Sequence, residues 1–385
     1  MTPGAQSRSV FAPVTALAFN ASQFDDLKTF LEKRTEHTDT VVISDVEQLL
    51  MAADGRLLEN GYRFNILGFA SFCNGVAQGL ASVFNDVAGT SNRVKSPDIQ
   101  IDMPAAVSVY NTIVRSRIDS LRERTLLVNH QERVVEGFLG LNHRHLDNSA
   151  FLEIVTSEMR ARQPDATFTR AELVGRELRL FYVSPKTRRK DIYSDPRHTI
   201  VSGWSFNNCE DRGKALNAVP CLLTRFGVAL EKASGASRLM HVGADLAGRT
   251  QALVARAAAR EIDMDAVLAR LVKLQSTPLG IVPQVEKYDA SAAPWVMQLT
   301  RAGMRNDDAK AIVRNAAMVG ADISPRDPLE AYSRETFSTR TAYDLVCSLL
   351  RYARNEPMRT RDRMQETAMQ FLLPRARKTR KSNRP

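Results

Sequence analysis

Glu172-Leu173-Val174-Gly175-Arg176-Glu177-Leu178-Arg179-Leu180-Phe181-Tyr182-Val183 is the stretch on which the fold turns. It is enriched in β-branched and aromatic types, and Gly175 stands where a hairpin would reverse. Thr199 to Phe206 has the same character, and the polar connector Ser184 to His198 joins the two. Two or three antiparallel strands are expected here. Just upstream, Arg133-Val134-Val135-Glu136-Gly137-Phe138-Leu139-Gly140-Leu141 reads as a further short strand. Asn148-Ser149 then opens a helix through Phe151, Leu152, Ile154 and Val155.

On the downstream side, Asn207 and Asn208 are suited to cap a helix whose first turn holds Glu210 and Asp211. Pro220 breaks or kinks a helix, so Val219 to Phe226 is either a kinked helix or another strand. After Gly243 the period is helical: Leu246, Leu253, Val254 and Ala257, then Val267, Leu268, Leu271 and Val272. Pro278 and Pro283 mark a linker and place a domain boundary near residue 280. Trp295 to Gly320, Thr339 to Asn355 and Thr360 to Leu373 follow as helical stretches, the first of them turning at Gly303. On the N-terminal side, Ser44-Asp45-Val46-Glu47 forms a capping box for a short helix that Gly55 stops. Residues 103 to 122 form one amphipathic helix with a basic flank of Arg115, Arg117, Arg122 and Arg124. The fold class expected is α+β, with a small antiparallel sheet and packed helices in the centre and a helical C-terminal part. It divides into a flexible arm (1–20), an α+β domain (21–280), a helical domain (281–373) and a disordered basic tail (374–385).

Composition narrows the function classes. Lys and Arg number 53 against 43 Asp and Glu, a net charge of +10 that attracts polyanions. The most apolar stretch, Phe64 to Phe84, is interrupted by Asn65, Asn74, Gln78 and glycines, whereas a spanning helix needs roughly 20 mainly apolar residues. No membrane partner is expected. Met1-Thr2-Pro3-Gly4 lacks the cationic-then-apolar pattern of a secretory signal. Cys73, Cys209, Cys221 and Cys347 have no paired spacing and read as reduced thiols. The expected location is therefore cytoplasmic.

No residue set points to catalysis, a metal or a cofactor. Gly213-Lys214-Ala215 lacks both the upstream glycine and the following Ser or Thr of a phosphate loop, so ATP-driven work is not expected. His143 and His145, even with His130, lack further ligands at a helpful spacing. The carboxylates are scattered and form no two-metal pattern. A helix-turn-helix reading of Trp295 to Gly320 fails on charge, because its second helix would begin Asn306-Asp307-Asp308 against phosphates.

What remains is the run Lys186-Thr187-Arg188-Arg189-Lys190, set between strands that carry Phe181, Tyr182, Tyr193, Trp204 and Phe206. Cations beside ring faces suit a single strand: the charges neutralise phosphates and the rings stack on bases, worth ~1–3 kcal/mol per base. The expected nucleic-acid-binding residues are Lys186, Arg188, Arg189 and Lys190 on phosphates and Tyr193 or Trp204 on bases. Arg375, Arg377, Lys378, Arg380 and Lys381 in the tail add salt-sensitive affinity without specificity.

Residues 137 to 225 also carry a family resemblance. Gly137-x-x-Gly140-x-x-x-Arg144-x-x-x-Asn148, then Gly203-x-x-x-x-Asn208, Gly213, Ala215-Leu216, Pro220 and Arg225, is similar to the phage and plasmid family called domain of unknown function 932. Thr339 to Leu373 is similar to that family's closing helices. Where the family often continues Arg-x-x-Cys-x-Asn, this chain has Arg225-Phe226-Gly227-Val228-Ala229. The resemblance implies a mobile-element origin in a bacterial host and supplies no activity. Strands around 172 to 206 followed by a helix also resemble the core of the single-strand annealing recombinases of RecT, Red-beta and Rad type. That likeness implies ATP-independent binding of single-stranded DNA, annealing or recombination, and a homo-oligomer. The competing reading is a phage regulatory or host-interaction protein that binds another protein through its helical half.

Overall fold

The computed structural model describes residues 11–76, 103–184, 200–211, 215–280, 293–319, 340–354, 356 and 358–373. They form an α+β fold around two sheets. The larger sheet runs, in spatial order, β1 (Ala16–Asn20), β6 (Thr167–Val174), β7 (Glu177–Val183), β8 (Ile200–Cys209), β9 (Leu216–Thr224) and β10 (Gly227–Leu230), with β11 (Arg238–Leu239) on the other end of β9. All of its pairings are antiparallel. The smaller sheet runs β2 (Thr38–Val42), β4 (Thr125–Asn129), β5 (Val134–Leu139) and β3 (Arg63–Phe64), parallel only between β3 and β5. The helices are α1 (Phe24–Glu36), α2 (Ile66–Val76), α3 (Met103–Ser116), α4 (Ile118–Leu121), α5 (Asn148–Arg162), α6 (Leu246–Ala258), α7 (Met264–Ser276), α8 (Ala293–Arg301), α9 (Asn306–Val319), α10 (Ala342–Arg354) and α11 (Met358–Leu372).

The hairpin expected at Gly175 is present, with Val174 opposite Glu177. Gly175 has φ +59°, a left-handed conformation that glycine adopts without strain. Alternation then sorts the faces. Leu178, Leu180 and Tyr182 join Trp204, Phe206, Leu216 and Ala218 in a core roofed by α1, α5 and α6. Each such side chain contributes ~1.5–3 kcal/mol on burial. Phe181, Val219, Cys221, Val228 and Leu230 cluster on the opposite face. Arg179 is also buried there and pairs with Glu177 and with Asp362 of α11. Gly203 allows β7 and β8 to approach, since a Cβ on it would lie 2.0 Å from the Tyr182 carbonyl oxygen.

Several expectations are corrected. Residues 16–20 are no arm: β1 pairs with β6 from Ala16–Val174 to Asn20–Arg170, and Phe11 is buried against the second sheet's core. The capping box at Ser44 starts only a single turn, Glu47–Leu49. The Gln48 side chain takes the amides of Ser44 and Asp45, and Asn111 holds both backbone groups of Met51 in an extended segment. The helix expected over 103–122 is interrupted at Arg117. Asn207 and Asn208 cap no helix, because β8 continues through them to Cys209. Asn208 instead donates to Leu146 O and Asn148 Oδ1.

Val219 to Phe226 resolves to a strand up to Thr224, with Pro220 opposite Trp204. A strand residue's N and C=O point to the same edge. Pro220 O accepts from Glu231 N, so its missing N–H falls in the gap between β10 and β11. The sheet is also larger than the two or three strands read from the sequence. Its extra strands come from short segments, Ala16–Asn20 and Gly227–Leu230, that only pairing makes strands.

Packing does not divide at residue 280. Helices α7 to α11 share one apolar cluster with Ile200, Leu222, Phe226 and Ala229 of the sheet region. Backbone bonds from Leu279 to Arg340 and from Ala342 to Thr277, and the Trp295 indole on Leu279 O, close the junction. Helices α8 and α9 turn at Gly303, φ +94°, and bury Ala309, Ile312, Val313 and Ala316, as a packing pair does.

A charge network joins the two sheets. Glu136 of β5 is gripped by Arg34 of α1 and by Arg176 of the β6–β7 turn, and Arg176 also pairs with Glu210, 2.8 Å away. Thr38 Oγ1 accepts from Arg176 at 2.7 Å. All four charged groups are buried. Burial pushes the Glu210 carboxyl up, but Arg176 and His145 outweigh it and hold the group down at about 2.

Candidate nucleic-acid interface

Trp204, expected to stack on bases, is 1% exposed. Its ring lies in the core below α5 and α6, and its indole N–H donates to Arg260 O at 2.9 Å. The cause is register: Trp204 shares a sheet face with Tyr182 and Phe206, the face that the helices cover. A stacking role for Trp204 is therefore withdrawn. Lys186, Arg188, Arg189, Lys190 and Tyr193 lie outside the described residues, as do Arg375, Arg377, Lys378, Arg380 and Lys381.

The described residues assemble a different cationic feature. Asp147 caps α5 by accepting from Ala150 N, and the helix ends with Arg160 and Arg162 in its last turn. Asp245 caps α6, which buries Leu246, Thr250, Leu253, Val254 and Ala257 at helical spacing. Its other side therefore presents Arg249, Ala252, Ala255, Arg256 and Ala259. Together with Arg162, Gly235, Arg238 and Leu239 these residues line an open groove of about 700 Å³. Its lining thus combines small alanine side chains with four arginines.

Four arginines line the groove and, among the described residues, no carboxylate does. Arg238, Arg249 and Arg256 are exposed. Arg162 is steadied by Glu158, 2.8 Å away one turn earlier. Hydrogen bonds from Arg162 and Gln251 hold the Glu158 carboxyl below its ordinary range, so its charge persists. Arg249 Nη1 donates to Val242 O at 2.5 Å, tying the rim of the groove to the segment after β11. Planar guanidinium groups with several donors match phosphate oxygens.

The sequence could have shown half of this. Arg249 and Arg256 stand two turns apart on one helical face with Ala252 between them. Arg162 and Arg238 come from distant segments and join them only through packing.

Among the described residues, no group of three or more His, Cys, Asp and Glu is placed to hold a metal. The four cysteines are buried thiols outside any disulfide, the Cys209 thiol donates to Asp211 Oδ1 at 2.8 Å, and burial pushes Cys73 up to about 12, far from a reactive thiolate. No helix among the described residues is long and apolar enough to cross a membrane.

No family model, curated protein or solved structure matches the chain. The resemblances drawn from the sequence therefore rest on their residues alone.

Proposed function

We propose that the protein binds nucleic acid by its phosphate backbone, without ATP, and that the groove lined by Arg162, Arg238, Arg249 and Arg256 is the binding surface. The observation that carries this reading is an open groove lined by four arginines, of which Arg162 is paired with Glu158 behind it, with no carboxylate among its described lining residues. A polyanion laid there exchanges condensed counterions for fixed cations, and that release supplies most of the free energy of nonspecific binding. Among the described residues that line the groove none is aromatic, so these grip phosphates and leave bases turned outward. That arrangement suits a single strand that must still find a complement, which is the annealing function expected from the sequence. The overall charge of +10 adds long-range attraction.

The test is the double charge reversal Arg238→Glu/Arg256→Glu, both at exposed positions. Affinity for a single-stranded oligonucleotide at low salt is expected to fall at least about tenfold. Affinity unchanged in that variant would remove the groove from the account.

A further inference from the structure

A smaller cleft opens beside the groove, and one short segment contributes to both. Arg238 and Leu239 line the groove, while Met240, His241 and Val242 line the cleft. The opposite wall is the loop that follows β5, Gly140-Leu141-Asn142-His143, with Arg124 and Ala215 completing the lining. An antiparallel bridge between His143 and Val242, with Arg144 N donating to His241 O at 2.8 Å, locks the two segments together. The cleft measures about 270 Å³. That is just below the roughly 300–1,000 Å³ typical of drug-sized ligands, and it suits one small planar molecule.

Its chemistry is divided between rim and interior. Leu141, Met240 and Val242 are 60%, 51% and 42% exposed, so apolar side chains gather at the mouth of a cleft next to a cationic channel. Inside, His241 is 3% exposed, and neither of its ring nitrogens makes a well-formed hydrogen bond. Burial lowers His241 to about 4 against an opposing pull from the Arg144 backbone, so the ring is neutral near pH 7 and offers one donor and one acceptor. A buried donor and acceptor left poorly satisfied are costly, and a ligand edge carrying the complementary pair removes that cost. The His143 ring lies parallel to it at 5.2 Å between centroids. That spacing is too narrow to admit a third ring between them, so a ligand meets their edges and not their inner faces. Apolar faces with a mixed donor and acceptor edge describe a nucleobase.

We infer that the cleft lined by His143, His241, Leu141 and Met240 takes one unstacked nucleobase of a strand whose phosphates lie in the adjoining arginine groove. The inference rests on the groove reading and extends it: phosphates are held by arginine, and a single base is anchored next door. A free nucleotide shares the same chemistry, and the test separates the two sources.

The experiment uses the full chain and two short oligothymidylates, one with a central 2-aminopurine and one with an abasic site at that position. The base-bearing strand is expected to bind about tenfold more tightly, with a rise in 2-aminopurine emission as the base unstacks. That difference is expected to collapse in Leu141→Ser/Met240→Ser, whose positions are exposed, and in His241→Phe, which keeps a ring but removes both nitrogens. Equal affinity of the wild type for the two strands overturns the base pocket and leaves the groove reading standing. Binding of neither strand at low salt overturns both. Equal affinity for the strands together with rim-dependent binding of adenosine monophosphate assigns the cleft to a free nucleotide and overturns the strand-borne base.

Discussion

Two arginine clusters in this molecule use the same side chain in opposite ways. At the junction of the sheets, Arg34 and Arg176 are buried and matched by Glu136 and Glu210. Along α6, Arg249 and Arg256 stand exposed beside Arg238, with no carboxylate among the described residues of their groove. Removing water from a guanidinium is costly unless a carboxylate and good hydrogen bonds replace it. The first cluster therefore had to be neutralised within the chain. The second keeps its field for a partner, at little cost in stability because water solvates it in the meantime. Charge alone does not separate structural from functional arginines; burial and pairing do.

That contrast is most exposed at Arg176. Arg176→Met leaves Glu210 without its buried arginine and Glu136 with Arg34 alone, and the expected loss is ~3–5 kcal/mol, read as a lower denaturant midpoint. A loss below about 1 kcal/mol would show that the network does not pin the sheets together.

Acid acts at the cleft first and at the junction of the sheets second. The His241 pKa is lowered from 6.5 to about 4, so between those values the unfolded chain binds a proton that the folded chain refuses. Stability therefore falls as pH drops through that window. Glu210, lowered from 4.5 to about 2, removes a further contribution as pH falls from 4.5 toward 2. Thermal melting followed from pH 7 to 3 checks both steps. His241→Phe is expected to flatten the upper one and leave the lower one in place.

Trp204→Phe tests core against interface. Loss of the indole bond to Arg260 O and of ring volume is expected to cost ~1–2 kcal/mol, with oligonucleotide affinity unchanged. Reduced affinity at unchanged stability would restore an interface role to this ring. At the small end, Arg256→Glu is expected to shift stability by no more than about 0.5 kcal/mol, because an exposed cation away from buried partners contributes little.

The sheet's hairpin, the Asp147-capped helix and the helical half were legible because each carries its signal within one short window. The β-branched and aromatic residues flanking the Gly175 turn, and the spacing of Leu253, Val254 and Ala257, need no distant partner to be read. The failures share a cause. Ala16–Asn20 is a strand only because β6 offers an edge, and Asn207 and Asn208 are strand residues because Leu146 and Asn148 take the polar group of Asn208 and Glu177 that of Asn207. The site was harder still. Four cations within 186–190 draw the eye, whereas the groove gathers arginines from α5, β11 and α6. The stacking assignment for Trp204 failed for want of register: a tryptophan in a strand is readable, but which sheet face receives the helices is not.

The most direct test of the central claim is the salt dependence of single-strand binding, compared between the wild type and Arg238→Glu/Arg256→Glu. For single strands the slope of log affinity against log salt is about −0.7 per phosphate neutralised, so loss of two contacts should flatten it by ~1.4. An unchanged slope at unchanged affinity would contradict the account and place any polyanion elsewhere on the molecule.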